Sequence, residues 1–226
     1  MTNSATLIRV CQYGLINAYL VVEDDGLTVV DTGMPGLHKK LLAAANRIDA
    51  PIRRIALTHG HADHVGSVDA LVAAVPGVEL LVSDPDARLL AGEQPLDPDH
   101  QVRGSWKTLS ARPTRTLADG DRVGSLRVVA APGHTPGHVA FLDTRDGTLI
   151  GGDTFTTWGG VATTARPNWR FPLASPATWN REIDLASARV LRALDPARLA
   201  PGHGPIVEAP AAAMDAAIAK GFKGDA

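Results

Sequence analysis

A single cysteine, Cys11, leaves no partner for an internal disulfide, so nothing in the covalent chemistry of the chain calls for an oxidising compartment. No apolar run approaches the roughly 18 residues that a membrane-spanning helix needs. The first residues, Met1 to Thr6, lack the charged stretch and following apolar stretch of a secretory leader. Positive charge is not in excess either. Twenty-two Lys and Arg stand against 24 Asp and Glu, a net charge of −2, which offers no basic field to nucleic acid or to an anionic membrane surface. These absences point to a cytoplasmic protein that acts on a small molecule, with no nucleic-acid or membrane partner; a homo-oligomer is left open.

What is present suits one compact unit. A chain of 226 residues with 45% hydrophobic content and mean hydropathy near zero can bury one core, and residues 1–226 read as a single domain. Short apolar runs at 6–10, 17–23 and 27–31 read as antiparallel strands, with Asp24-Asp25-Gly26 turning the hairpin between the last two. Helices are expected at 36–48, at 64–75 before Pro76-Gly77, at 85–91, at 176–194 and at 209–221. Further strands are expected at 53–58, 79–83, 115–117, 122–123, 126–131, 139–143, 148–151 and 198–200. Residues 92–112, rich in Pro, Asp and Gly, read as an irregular surface excursion. Both halves carry a strand running into a Gly-His turn, Gly60-His61 and Gly133-His134, which hints at an internal duplication.

The densest chemistry lies between His59 and His64, where three imidazoles and a carboxylate occupy six consecutive positions. Such crowding rarely serves packing; neutral imidazole and carboxylate hold zinc and similar divalent ions. Apolar runs beginning at Arg54, Arg127 and Arg198 close on His59, His134 and His203, and a fourth beginning at Thr148 closes on Asp153. Four strands thus deliver a ligand-type residue at their C-terminal ends. Blander readings exist for each residue alone: His59 and His61 alternate as on one face of a strand, and Asp63 stands where a helix N-cap belongs. The constellation as a whole favours metal.

Five motifs in order, Asp31-Thr-Gly33, HxHxDH at His59 to His64, Gly133-His134-Thr-Pro-Gly-His138, Gly151-Gly152-Asp153 and Pro201-Gly202-His203-Gly204, resemble the metallo-β-lactamase superfamily over nearly the whole chain. The resemblance implies an α/β (α+β) fold, a four-layer αβ/βα sandwich of two mixed β-sheets flanked by helices, with metals at one edge. Carried over residue by residue, it has His59, His61 and His134 binding one metal, Asp63, His64 and His203 a second, and Asp153 bridging them, so that Asp63 and Asp153 also serve catalysis. Asp31 resembles the family's Asp behind the metal site, and His138 is positioned to orient a ligand. His38 and His100 read as solvated surface.

The implied cofactor is two divalent ions, zinc first, with manganese or iron accepted by the same donors. The implied activity is a hydrolase in which a metal-bridged hydroxide attacks an ester, lactone or thioester carbonyl. The Asp153 carboxylate argues against a dizinc β-lactamase. Glyoxalase II grips its thioester with an appended helical domain, whereas 22 residues follow Gly204; one lactonase branch uses a Tyr after the bridging Asp, whereas the tyrosines here are Tyr13 and Tyr19. A phosphodiesterase and a mononuclear-iron sulfur dioxygenase, using His59, His134 and Asp153, are the alternatives. Trp158, Arg166, Trp169, Arg170 and Phe171, in the loop after Asp153, are the candidates for gripping substrate or for packing the loop.

Overall fold

The computed structural model describes residues 6–93 and 101–221; His100 lies outside them. Six strands, β1 (Leu7–Gln12), β2 (Ile16–Glu23), β3 (Gly26–Val30), β4 (Ile52–Ala56), β5 (Glu79–Ser83) and β6 (Arg115–Leu117), form a first sheet in that order. Its β1–β2–β3 meander is antiparallel, and β3 to β6 run parallel. A second six-stranded sheet is built from β7 (Arg122–Val123), β8 (Leu126–Ala130), β9 (Val139–Asp143), β10 (Thr148–Gly152), β13 (Arg198–Pro201) and β14 (Val207–Glu208), in the order β14-β13-β10-β9-β8-β7. A short hairpin of β11 (Phe155–Thr156) and β12 (Ala162–Thr163) lies between β10 and β13 in sequence.

Alternation along the strands stacks the layers. Tyr19, Val21, Val30, Ala56 and Leu81 point from the first sheet into a core shared with Val128, Val139, Phe141, Ile150 and Ala200 of the second. Their sequence neighbours point the other way: Leu20, Val29, Ile55 and Leu80 meet Leu37, Leu41 and Leu71 of helices α1 (Leu37–Ile48) and α3 (Val68–Ala74). On the far side Val129, Ala140, Leu149 and Leu199 meet Ala188, Leu191 and Met214 of α6 (Arg181–Ala193) and α7 (Ala211–Gly221). Strands buried on both faces must alternate between two apolar partners rather than between oil and water, which explains the near-continuous apolar runs. The order helix, sheet, sheet, helix is the expected αβ/βα sandwich. Each sheet also repeats one motif, an antiparallel meander followed through a helix by a parallel strand, β4 after β1–β3 and β13 after β8–β10.

Three expectations about elements change. The helix predicted over 64–75 divides into α2 (Ala62–Val65) and α3, so Asp63 sits inside the first turn and does not cap it. The break has a packing cause: a Cβ on Gly66 would lie 2.9 Å or less from Pro35 Cδ and from the Ala62 and Gly33 carbonyls, and Ser67 donates to the Met34 carbonyl. The helix predicted over 176–194 also divides, into α5 (Ala174–Ala177) and α6, because the Trp179 and Asn180 amides donate to the His134 and Gly133 carbonyls and pull the chain out of helix. Asn180 then caps α6, accepting from the amides of Glu182 and Ile183. The β11–β12 hairpin and β14, both short, were not expected. His38 is half-buried rather than solvated. Among the described residues no helix is long and apolar enough to cross a membrane.

Asn17 and Tyr19 of β2 join the sheets where the site forms. The Asn17 side-chain amide donates to the Pro201 and Gly204 carbonyls at 2.9 and 2.7 Å, and the Tyr19 hydroxyl donates to Pro201 at 2.7 Å. Replacing Asn17 with Ala strands the buried Gly204 carbonyl and is expected to cost about 2 kcal/mol in urea unfolding. A loss too small to measure would mean that the clamp is idle.

Candidate metal centre

Four strand ends of the two sheets converge on one edge. His59 and His61 follow β4, His134 follows β8, Asp153 follows β10 and His203 follows β13, while Asp63 and His64 come from α2. The structure brings these seven residues together as three overlapping groups: His59, His61 and His134; His59, His64 and Asp153; Asp63, His64 and His203, with the donor atoms of each group within 4.8 Å of one another. Asp153 lies between the outer two groups. Its carboxylate is 3.5 Å from His134 Nε2 on one side, and 3.4 and 3.1 Å from His64 Nε2 and His203 Nε2 on the other.

The hydrogen bonds behind the imidazoles fix where their lone pairs point. Thr58 Oγ1 gives its proton to Asp31 at 2.7 Å, so it accepts from His59 Nδ1 at 3.0 Å and leaves His59 Nε2 bare. His61 Nε2 donates to the Arg103 carbonyl, which turns Nδ1 inward. His134 Nδ1 donates to Thr178 Oγ1, whose own proton goes to a backbone carbonyl. Three lone pairs therefore face one another, His61 Nδ1 and His134 Nε2 at 3.0 Å, and His59 Nε2 is buried with no hydrogen-bond partner. Asp153 Oδ1 is likewise buried and unpartnered. Bare nitrogens at that spacing repel, and a buried unpaired acceptor costs about 1 to 3 kcal/mol; a divalent cation removes both penalties. In the second group His64 Nδ1 donates to Asp31 at 2.8 Å and His203 Nδ1 to the Leu15 carbonyl at 3.1 Å, so both Nε2 atoms face Asp63 and Asp153. The donor set fits two cations.

Several supports carried no signal in the sequence. Asp86 of α4 (Asp84–Leu90) is fully buried and accepts from the Gly60 amide, the Thr135 hydroxyl and the Gly137 amide, each at 2.8 Å. It thereby ties the His59 loop to the His134 loop. Residues 103–106 return to the site instead of running over the surface: Ser105 accepts from the Ala62 amide, and the Trp106 ring lies 5.2 Å from His61. Thr164 gives its hydroxyl proton to the Asp153 carbonyl at 2.7 Å and sits 3.1 Å from Asp184. Burial drives the Asp184 carboxyl well above its usual range, and Thr164 is the hydroxyl it faces. A lone Asp in a helix and a backbone carbonyl look like any other until the fold places them. Of the supports that were expected, Asp31 holds His64 directly and His59 through Thr58, and His138 Nε2 accepts from the Asp153 amide at 3.0 Å.

A family model described as Metallo-beta-lactamase superfamily matches residues 12–203. The chain belongs to the metallo-beta-lactamase superfamily. It is 40% identical to uncharacterized protein YobT of Bacillus subtilis (strain 168) over 213 residues, 92% of this chain and 91% of YobT. It is 36% identical to the hydroxyacylglutathione hydrolase of Aeromonas salmonicida (strain A449) over 145 residues, 62% of this chain and 47% of that enzyme. The match thus spans about half the length of that relative. Among solved structures, TTHA1623 in a di-iron-bound form aligns with a TM-score of 0.68 and 31% identity, over 90% of this chain and 96% of that one. The BLEG-1 B3 metallo-beta-lactamase, at TM-score 0.70 and 22% identity over 91% and 95% of the two chains, shares the fold. Family and relatives together indicate a metallo-hydrolase that binds divalent metal.

In this superfamily member the five candidate loop residues separate. Phe171 is buried with its ring 4.8 Å from His203, so it walls the cluster. Arg166 reaches the Lys220 carbonyl on α7, and Arg170 donates to the Gly159 carbonyl at 2.6 Å and lies 5.0 Å over the Trp169 ring. Both guanidinium groups hold the loop, as the packing alternative had it. Trp158 and Trp169 are exposed. Asp63, with 38% of its side chain exposed, marks the side on which the cluster opens to solvent, since the other six ligands are buried.

Electrostatics divide the ligands into two classes. Burial, helped by neighbouring imidazoles, holds His59 and His134 well below the usual histidine range, and burial lowers His61, so all three are neutral and ready to coordinate. Burial alone would do the same to His64 and His203. The Asp153, Asp63 and Asp31 carboxylates outweigh it at His64, and Asp153 and Asp63 outweigh it at His203, raising the latter to about 9. Burial would raise Asp63 and Asp153, but His64 and His203 outweigh it and keep both ionised.

Two outcomes follow. Metal binding at pH 7.5 is expected to release at least about two protons per chain, those of His64 and His203, read from the dependence of calorimetric enthalpy on buffer ionisation. Release of none would contradict this electrostatic division. By the same linkage the metal-free protein loses stability as pH rises from about 6.5 through about 9, because His203 binds its proton more tightly folded than unfolded. Separately, Asp86→Ala touches no ligand yet frees both ligand loops, and chelator competition is expected to show metal affinity about 10 to 100 times weaker. Wild-type affinity in that variant would reduce Asp86 to a packing residue.

Proposed function

We propose that this protein is a dinuclear metallo-hydrolase that cleaves an ester-type carbonyl bond in a small molecule, with thioesters, lactones and simple esters as the substrate classes. The observation that carries the reading is the position of Asp153, whose single carboxylate touches His134 of one ligand group and His64 and His203 of the other. His59, His61 and His134 would hold one ion, Asp63, His64 and His203 the second, and Asp153 both. When bound, such ions supply Lewis acidity toward a carbonyl oxygen and bring the pKa of water from 15.7 to about 7.

The chain itself supplies placement. Asp31 and Thr178 lock imidazoles in one orientation and Asp86 ties their loops together, so no reorganisation is needed as charge develops in the reaction. Phe171 excludes water beside His203, and the exposed edge of Asp63 lies where a substrate enters. Likeness to hydroxyacylglutathione hydrolase, whose substrate is an acyl group on a thiol, supports carbonyl chemistry over phosphoryl chemistry. Zinc is the first expectation for the metal; the di-iron form of TTHA1623 makes iron the next to test. The complete second ligand group, Asp63, His64 and His203, favours two ions over the one of an iron dioxygenase.

Elemental analysis of Asp153→Asn is expected to show fewer ions per chain than wild type, with kcat lowered at least about 100-fold. Full activity with unchanged metal content would refute the bridge. On a panel of thioesters, lactones, phosphodiesters and β-lactams, metal-loaded protein is expected to turn over the carbonyl esters and thioesters fastest. A dominant phosphodiester or β-lactam rate would overturn the assignment.

A further inference from the structure

Beside the metal centre lies a cavity of about 310 Å3 lined by Arg103, Thr178, Trp179, Asn180, Arg181 and Glu182. Its size is at the lower end for small-molecule sites. Two of its walls are the supports of the first ligand group: the Arg103 carbonyl accepts from His61 and the Thr178 hydroxyl accepts from His134. An occupant therefore lies one residue away from two metal ligands.

Charge decides what that occupant is. Arg103 and Arg181 are exposed, and neither makes an ion pair with a described residue. Unlike Arg54 on Asp25, Arg145 on Asp143, Arg192 on Asp215 and Arg198 on Asp146, these two stand together on one small cavity. In a chain with a net charge of −2, two guanidinium groups without an ion-pair partner among the described residues on one small cavity are a local excess. Glu182 cancels one charge of the lining and leaves a net positive wall. The N-terminal end of α6 adds a favourable dipole. It contributes few donors, because Asn180 Oδ1 already takes the amides of Glu182 and Ile183 at 3.1 Å. The guanidinium groups therefore carry the recognition, and their planar paired donors match a carboxylate better than any neutral group.

We propose that this cavity receives a carboxylate carried by the substrate, so that Arg103 and Arg181 select anionic esters and thioesters over neutral ones. This deepens the hydrolase reading and rests on it for the word substrate, but the cavity can be tested without turnover. Calorimetry on zinc-loaded protein compares glutarate, which carries a second carboxylate for the cavity, with butyrate, which carries only one. Wild type is expected to bind glutarate about tenfold tighter than butyrate, a difference of about 1.4 kcal/mol. Arg103→Gln and Arg181→Gln should each shrink that ratio and the double variant abolish it, with butyrate binding unchanged. Both side chains are exposed, so the variants should fold; an unchanged melting temperature confirms it.

Equal binding of the two acids by wild type, or an unaltered ratio in the double variant, would overturn the proposal. A kinetic arm separates it from the broader reading. Comparison of the 4-nitrophenyl monoester of glutaric acid with 4-nitrophenyl butyrate should give a KM advantage for the anionic ester that the variants lose. Equal turnover of both esters sinks the cavity assignment and leaves the hydrolase standing. Intact glutarate selectivity without turnover of any ester or thioester does the reverse.

Discussion

The carboxylate of Asp31 accepts three hydrogen bonds, from the Thr58 amide, the Thr58 hydroxyl and His64 Nδ1, at 2.8, 2.7 and 2.8 Å, and the metal centre depends on all three. Through the hydroxyl it sets the tautomer of His59, and through Nδ1 it sets that of His64, so one buried acid orients a ligand in each group. The residue is held there at some cost. Its φ of 60° is left-handed, a conformation an L side chain adopts reluctantly. Its amide is fixed by the Ala56 carbonyl and the next residue's amide by the His64 carbonyl. Local strain here is offset by the order it imposes on both loops.

Asp86 and Asp153 extend the same logic. Asp86 draws only on donors, an arrangement that suits a carboxylate and would fail for a protonated acid, even though burial raises its pKa to about 6. Asp153 is ionised because protonatable imidazoles surround it, and its backbone is pinned from two sides by His138 and Thr164. Close approach is also built in at Gly202, where a Cβ would lie 2.1 Å from Asp153 Oδ1 and 2.6 Å from His64 Cε1. Only glycine allows the His203 turn to press against the ligands. Carboxylates thus take three roles: orientation, loop bridging and ligation.

The layout of charge gives the molecule a direction. The His203 side is apolar, with Phe171 against the imidazole and the exposed Trp158 and Trp169 farther along the same loop. The His61 and His134 side is polar, with two arginines on the neighbouring cavity. The loop after Asp153 is rich in Trp and Arg, and Arg166 and Arg170 brace it. The arginines beside the ligands lie elsewhere, at Arg103 within a stretch that reads as irregular and at Arg181 at the start of a helix.

Most of the architecture was legible because strands buried on both faces leave runs such as Leu27 to Val30, and because metal chemistry demands particular side chains at strand ends, as at His59, His134, Asp153 and His203. Helix limits were less legible: nothing local at Gly66 or Trp179 announces that the 33–35 turn or the His134 loop will compete for the backbone. The sequence by itself determined which residues can coordinate, since only imidazole and carboxylate offer the needed lone pairs. Tertiary structure alone decided how each is aimed, through Asp86, Thr178 and the carbonyls of Leu15 and Arg103. Those partners lie up to 188 positions away from the ligands they orient, as Leu15 does from His203, and a backbone carbonyl has no side-chain identity to read.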